Sequence, residues 1–143
     1  MKITNTIAVS SLTLLFTGLG LCSLPMPNAI ASEPNTFQTP SGNIRCLANT
    51  DFLFCVLTEN TAKIPPAPRD CYGNWGHAFS LPRTARVRRD CPSDTLDFGY
   101  PVLGYGQTWR SGDFTCISKK TGLTCTNRIK RGWHLSKGRQ QFF

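Results

Sequence analysis

Cysteine is the residue type whose number and spacing in this 143-residue sequence most clearly indicate chemistry. Six of the seven cysteines follow residue 31, as two pairs at the same spacing and a third pair between them: Cys46 and Cys55, Cys116 and Cys125, Cys71 and Cys91. A zinc site would require a tight Cys-x-x-Cys or paired histidines, and the sequence contains neither. We therefore predict three disulfides, no metal site and no cofactor.

The turn residues between the cysteines favour this pairing. A bridge from Cys46 to Cys55 centres a hairpin on residues 50–51, and the equivalent later bridge centres one on residues 120–121, all of them typical turn residues. Directly opposed residues at a non-hydrogen-bonded position have Cα atoms about 4.5 Å apart, which a disulfide accepts. Each closed loop would stabilise the fold by about 2.5–3 kcal/mol. The remaining two cysteines, Cys71 and Cys91, are then predicted to pair with each other.

The two hairpins also show a weak internal sequence repeat. Each has a glycine, then an apolar residue, then two cysteines at matching offsets: Gly42, Ile44, Cys46 and Cys55 in the first, and Gly112, Phe114, Cys116 and Cys125 in the second. The repeat is consistent with duplication of a hairpin unit, although two short matches do not establish it.

Histidine and acidic residues offer two hydrolytic arrangements. Ser80, His134 and Asp94 could form a triad, but the Gly-x-Ser-x-Gly elbow that presents a nucleophilic serine is absent. Asp94 and Asp97 could act as paired carboxylates in sugar hydrolysis, although their place in "CPSDTLD" is more typical of aspartates that cap a loop. We predict that the protein is not an enzyme and keep a small hydrolase, using His134 or Asp94/Asp97, as an alternative.

Basic residues are unevenly distributed along the chain. Of the 16 lysines and arginines only Lys2 precedes residue 32, and all 8 acidic residues lie after residue 32. Residues 32–109 carry equal numbers of each sign, whereas residues 110–143 carry eight basic residues and only Asp113. This asymmetry indicates an anionic partner, and a solvated basic surface that aids solubility explains it equally well.

The candidate anion-binding residues lie in two basic segments. They are Arg83, Arg86, Arg88, Arg89, Arg128, Lys130, Arg131 and Trp133. If "ARVR" (85–88) is a strand, Arg86 and Arg88 share its outer face. Trp75 and Trp109 are predicted to fill the core, whereas Trp133, in "RIKRGWHLSK", is predicted at the surface beside its basic neighbours.

The N-terminal segment has the layout of a secretory signal peptide. Lys2 precedes an uncharged run over residues 7–24, and prolines then precede Ala29 and Ala31 in a small-x-small pattern. An uncleaved membrane anchor is the alternative, since about 18 residues could span a bilayer, but helix-breaking prolines before a cleavage motif disfavour it.

We predict cleavage after residue 31, leaving residues 32–143 as a single secreted β domain without a transmembrane anchor. Export, either to the periplasm or out of the cell, would place the cysteines in an oxidising space where disulfides persist.

Short strands are predicted to position these residues. After the N-terminal segment no helical period appears, and short apolar runs alternate with turn residues. The predicted strands are 43–47, 52–57, 77–81, 85–88 and 132–136, with a hairpin over 113–127. The proline-rich "IPPAPRDC" (64–71) is predicted to cross the surface. The sequence thus predicts an all-β domain, a small disulfide-stapled barrel or sandwich of short antiparallel strands.

Several motifs occur in a fixed order: "TPSGNIRC", "NWG", "CPSDT", "LGYGQTWRSGDFTC", "GLTCTN" and "RGWHLSK". As a set they resemble a family of small secreted bacterial proteins of unknown function, with a Pro-Ser-Gly-Asn-Ile-x-Cys start and a Gly-x-Thr-Cys-Thr-Asn close. The chain departs from that pattern at Asn74, where an acid is usual, and at Arg131 and Trp133, where histidine and phenylalanine are usual. The resemblance implies a compact, exported, disulfide-bonded domain.

These observations predict a non-catalytic binding module for an anionic cell-envelope or extracellular component. The expected partner is an anionic polymer or envelope surface, and the sequence identifies no specific protein partner. A protein-interaction or inhibitor scaffold that presents "IPPAPRD" (64–70) is the second hypothesis.

Overall fold

The computed structural model describes residues 34–94, 96 and 99–143. Within them the chain forms no helix, and hence none that could cross a membrane. The strands are Thr36–Gln38 (β1), Ile44–Ala48 (β2), Phe52–Leu57 (β3), Ala78–Pro82 (β4), Arg88–Asp90 (β5), Thr108–Ser111 (β6), Phe114–Lys119 (β7), Gly122–Thr126 (β8), Gly132–Ser136 (β9) and Arg139–Phe142 (β10). The predicted signal peptide, residues 1–31, and Asp97 lie outside the described residues.

The strands form two antiparallel sheets, the first in the order β1-β2-β3-β4-β5 and the second in the order β10-β9-β8-β7-β6. The sheets pack face to face. Phe37 of β1 contacts Trp109 of β6 with 4.7 Å between ring centroids, and Phe79 of β4 contacts Trp133 of β9 at 6.2 Å. The all-β prediction is confirmed, and the sandwich rather than the closed barrel is the correct architecture.

The alternation of apolar residues explains which face of each strand is buried. In β3, Leu53, Cys55 and Leu57 point into the core, while the residues between them are only half-buried. Neighbouring side chains on a strand point to opposite faces, so this period of two gives the sheet one core face. Burying a leucine or isoleucine there contributes about 1.5–3 kcal/mol.

All three predicted disulfides are confirmed. Cys46 lies directly opposite Cys55 across β2 and β3, and Cys116 lies opposite Cys125 across β7 and β8, each pair with 4.1 Å between Cα atoms. These four sulfur-bearing side chains are fully buried in the core shared by the two sheets. The bridge between residues 71 and 91 is only half-buried and links the long β3–β4 connection to the segment after β5.

The internal sequence repeat is accompanied by a repeat of the strand order. Each sheet is a five-stranded meander, and in each a disulfide joins the second strand to the third. Gly42 precedes β2 with φ 70° and Gly112 precedes β7 with φ 54°, a left-handed conformation that favours glycine. The two halves therefore use the same local construction, as expected for a duplicated unit.

The strand predictions differ from the structure at two points. The predicted strand over 85–88 is wrong: residues 83–87 form a loop, and the strand begins at Arg88. The strands β1, β6 and β10 were not predicted, because "TFQ", "TWRS" and "RQQF" are at most four residues long and lack a clear apolar alternation. The connector over 64–71 contains no strand, as predicted.

Candidate anion-binding surface

The loop between β8 and β9, residues 127–131, is organised by Asn127. Its side-chain Oδ1 accepts hydrogen bonds from the backbone N–H groups of Ile129 at 3.1 Å and Arg131 at 3.0 Å. The backbone N–H of Lys130 donates to the carbonyl oxygen of Asn127 at 3.0 Å. Lys130 has φ 62°, a conformation that costs a non-glycine residue about 1–2 kcal/mol and that these bonds hold in place.

The same asparagine joins this loop to the loop between β4 and β5. Its Nδ2 donates to the carbonyl oxygens of Pro82 at 2.7 Å and Ala85 at 2.9 Å. Asn127 is only 2% exposed, and a buried amide must find partners for both its oxygen and its nitrogen. The structure therefore brings the two basic segments identified in the sequence to one end of the sandwich.

Two of the predicted anion-binding arginines are engaged within the protein. The guanidinium of Arg83 forms an ion pair with Asp113, with 2.7 Å from Nη2 to Oδ2. Arg89 lies 4.4 Å from the ring centroid of Phe142 and donates from Nε to Gln140 at 3.2 Å. Partial burial lowers the pKa of Arg89, which stays cationic at neutral pH because arginine ordinarily titrates far above it.

The other five predicted cations are exposed, and we call this surface the basic end: Arg86, Arg88, Arg128, Lys130 and Arg131. Within the described part of the chain none of them forms an ion pair with a carboxylate. Ile129, between Arg128 and Lys130 in the sequence, has 49% of its surface exposed. The basic end thus combines unneutralised charge with one accessible apolar side chain.

The surface role predicted for Trp133 is wrong. Its side chain is completely buried and packs on Phe79, because β9 points Trp133 and Leu135 into the core. The core prediction is confirmed for Trp109, which is 1% exposed. Trp75 is instead half-buried outside the core cluster, where its indole N–H donates to the carbonyl oxygen of Pro65 at 2.9 Å.

The structure separates Ser80 from His134, two residues of the predicted triad. The hydroxyl of Ser80, on β4, donates to the carboxylate of Asp90, while His134 lies on β9 in the other sheet. His134 contacts Thr124 Oγ1 at 2.9 Å through Nδ1 and the carbonyl oxygen of Thr121 at 3.0 Å through Nε2. A carbonyl oxygen only accepts, so Nε2 carries the proton and the imidazole holds the β7–β8 turn.

Asp94 is exposed at a cavity of about 320 Å³ that His77 also lines, and its predicted partner Asp97 lies outside the described residues. Among the residues that the structure describes, no cluster of histidine, cysteine or acidic side chains could hold a metal ion.

A larger cleft lies at the opposite end of the sandwich, and the sequence did not predict it. Its volume is about 650 Å³, and its walls come from residues 39, 41–45, 58–59, 119–122 and 136–138 together with Tyr105. The basic residues in its lining belong to separate turns and strands, so no run of sequence marks them. The only sequence signal was the prediction of turns next to lysines, as at residues 120–121.

Comparison with known proteins gives the family alone. The chain matches the model of the family of unknown function DUF6636 over residues 18–143, and it therefore belongs to that family. No curated protein matches the chain, and no solved structure matches it.

Proposed function

We propose that this DUF6636 protein is a non-catalytic binding module whose basic end recognises an anionic component of the cell envelope or the extracellular space. The single observation that carries the proposal is the position of Asn127, whose amide bonds to both basic loops. Cations separated by about 40 residues in sequence thereby form one surface on two loops that hydrogen bonds hold together. Loops held by such bonds lose less conformational entropy when they bind.

The charge of this surface supports an anionic partner. Its five cations are exposed, and the neighbouring Arg83 already neutralises the nearby Asp113. Each Lys or Arg close to a negatively charged surface contributes about 1 kcal/mol of attraction. Ile129 adds an apolar contact that a purely solubilising charged face would not need.

The location of the protein supports the same class of partner. Three disulfides indicate an oxidising compartment. We place the protein in the periplasm or outside the cell, delivered by the signal peptide predicted over residues 1–31, with an acidic polymer or an anionic envelope surface as the partner.

The absence of catalysis is part of this proposal. It is supported by the hydrogen bonds that Ser80 and His134 already make within the fold. A hydrolase screen of the purified protein tests it, with His134→Ala and Asp94→Asn as variants. Hydrolysis that either substitution abolishes would overturn the non-catalytic assignment.

Salt-dependent retention on heparin tests the binding surface. The variant replaces three basic-end residues, Arg128→Gln, Lys130→Gln and Arg131→Gln, and the control removes equal charge elsewhere, with Lys63→Gln, Arg69→Gln and Arg139→Gln. Loss of three anion contacts should reduce the slope of log affinity against log salt by about three. The control should keep the wild-type slope.

Two results would overturn the proposal: retention of the wild type that does not weaken with salt, or equal losses in the variant and the control. Vesicles with and without phosphatidylglycerol identify the source of the negative charge. Binding to the anionic vesicles assigns lipid headgroups, and binding to heparin alone assigns an acidic polymer.

A second candidate, a protein-interaction scaffold, is favoured by Tyr72. This side chain is 94% exposed beside the bridge from Cys71 to Cys91, on the connector that follows "IPPAPRD". Exposed tyrosines on rigid supports are frequent anchors of protein interfaces. Capture of one stoichiometric envelope protein by the wild type, but not by Tyr72→Ser, would favour this candidate over the first.

A further inference from the structure

The cleft of about 650 Å³ lies away from the basic end, at the other end of the same strands. The first sheet contributes the β1–β2 turn and the residues after β3, and the second sheet contributes the β7–β8 and β9–β10 turns. Its volume falls within the range of about 300–1,000 Å³ that is typical of small-molecule sites. We call it the lysine cleft.

Hydrogen bonds between elements hold the walls of the lysine cleft. Asn43 accepts from the backbone N–H of Glu59 at 2.6 Å and donates back to its carbonyl oxygen at 3.2 Å. The N–H of Thr61 donates to the carbonyl oxygen of Lys137 at 2.7 Å, which joins the first sheet to the β9–β10 turn. His134 holds Thr121 in the third wall. The cleft is therefore preformed rather than assembled by a ligand.

The lining of the cleft carries excess positive charge. Lys119 and Lys120 are exposed on the β7–β8 hairpin, and within the described residues neither forms an ion pair. Among the described residues of the lining Glu59 is the one acid, and it is already paired with Lys137. The two hairpin lysines thus remain available to an anionic group that enters the cleft.

The rest of the lining suits a saccharide. Hydroxyl side chains face it: Ser41, Thr58 and Thr121 are exposed and Ser136 is half-buried. Tyr105 stands at the cleft with 46% of its surface exposed. Its turn is fixed by bonds from the Gly106 N–H to Ser118 O at 2.8 Å and from the Gly104 N–H to the Gln107 side chain at 2.7 Å. An exposed aromatic face can contact the apolar side of a sugar ring.

We infer that the lysine cleft binds an acidic saccharide, with its carboxylate at Lys119 and Lys120 and a ring against Tyr105. Hydroxyl groups of the lining exchange hydrogen bonds with the sugar hydroxyls. This site does not depend on the basic end, since it uses different residues at the opposite end of the sandwich. It takes a short oligosaccharide, whereas the basic end presents exposed loops to a polymer or a surface.

The test uses the whole secreted domain, labelled with ¹⁵N and titrated with trigalacturonate. The fully methyl-esterified trisaccharide, which keeps the rings but loses the charge, is the matched ligand. Amide signals of Gly42, Thr121 and Gly138 should shift with trigalacturonate, and the ester should bind about tenfold more weakly because charge-assisted hydrogen bonds are lost.

Variants then assign the residues. Lys119→Gln with Lys120→Gln should weaken binding about tenfold, and Tyr105→Ala by about threefold to tenfold. Arg128→Gln with Lys130→Gln removes the same charge at the basic end and should leave trigalacturonate binding unchanged. These last two substitutions are in the heparin variant, so the two proposals can fail separately.

Three outcomes would overturn the inference. The first is amide shifts confined to residues 127–131, which would assign the sugar to the basic end. The second is equal affinity for the acid and its ester. The third is that sodium sulfate reproduces the same shifts at equal charge, because the cleft would then bind anions without selecting a saccharide.

Discussion

The side-chain amide of Asn127 donates a hydrogen bond of 2.7 Å to the carbonyl oxygen of Pro82, a residue 45 positions earlier in the chain. This bond crosses from the second sheet to the first, since Asn127 follows β8 and Pro82 ends β4. It places the loops of the basic end side by side. The surface that we propose for anion binding therefore depends on a neutral residue that would itself contact no ligand.

Replacing Asn127 with aspartate should separate the two loops. The substitution keeps an oxygen for the N–H groups of Ile129 and Arg131 but loses both Nδ2 donations and faces the carbonyl oxygens with a carboxylate. Loss of two buried hydrogen bonds should lower the free energy of unfolding by about 2–3 kcal/mol. Urea denaturation measures this loss, and Asn35→Asp, in an exposed position, is the control. An unchanged midpoint for Asn127→Asp would show that the amide does not hold the loops.

Arg89 should contribute to stability, whereas Arg86 should contribute to anion binding. Arg89 packs on Phe142 and bonds to Gln140, so Arg89→Ala should lower the free energy of unfolding by about 1–2 kcal/mol. Arg86 is exposed, so Arg86→Ala should leave stability unchanged and reduce the salt slope of heparin affinity by about one. Denaturation and salt-dependent retention of both variants provide the measurements. A larger loss of salt slope for Arg89→Ala than for Arg86→Ala would reverse this assignment.

The three disulfides should differ in their resistance to reduction. Cys46–Cys55 and Cys116–Cys125 are fully buried, whereas Cys71–Cys91 is half-buried beside exposed residues. Thiol exchange requires access to a sulfur atom, so the half-buried bridge should open first. Mild reduction of the native protein, followed by alkylation and mass spectrometry, should label residues 71 and 91 before any other cysteine. Simultaneous labelling of all six would mean that the fold opens globally before any bridge is attacked.

The disulfides and the central strands could be predicted because their determinants are local. A cysteine faces its partner when the hairpin turn lies midway between them, as at Cys46 and Cys55. The wrong prediction for Trp133 also came from local sequence, because its basic neighbours suggested a surface position. The alternation of Trp133 with Leu135 instead fits two side chains that point into the core. The period of the strand determined the burial of Trp133, and the polarity of the adjacent loop did not.

The positions of the two candidate sites could not be predicted because they depend on contacts between distant segments. The bond from Asn127 to Ala85 joins residues 42 apart, and the lysine cleft combines turns from both sheets. Sequence reasoning identified the cations of the basic end but not the internal partners of Arg83 and Arg89. Those partners lie on β10 and on the β6–β7 turn, whose places in the fold follow only from how the sheets stack.

The ion pair of Glu59 and Lys137 should be visible in an acid titration. A hydrogen bond from Lys137, together with its charge, lowers the pKa of Glu59 below the ordinary value for glutamate. A folded-state pKa below the unfolded one means that the pair stabilises the fold above the unfolded pKa. That stabilisation is lost as the pH falls through the folded pKa. The carboxylate is exposed, so solvent screening keeps the contribution to stability small.

Lys137→Met should therefore raise the pKa of Glu59 toward its ordinary value, because it removes both the donor and the charge. NMR titration of the Glu59 side-chain carboxyl carbon measures the change, and Lys63→Met, which removes an exposed lysine from the β3–β4 connection, should leave that titration unaltered. An identical Glu59 titration in the wild type and Lys137→Met would contradict the pairing. It would also leave Glu59 as an unneutralised acid in the lysine cleft, where it would oppose the binding of an anionic sugar.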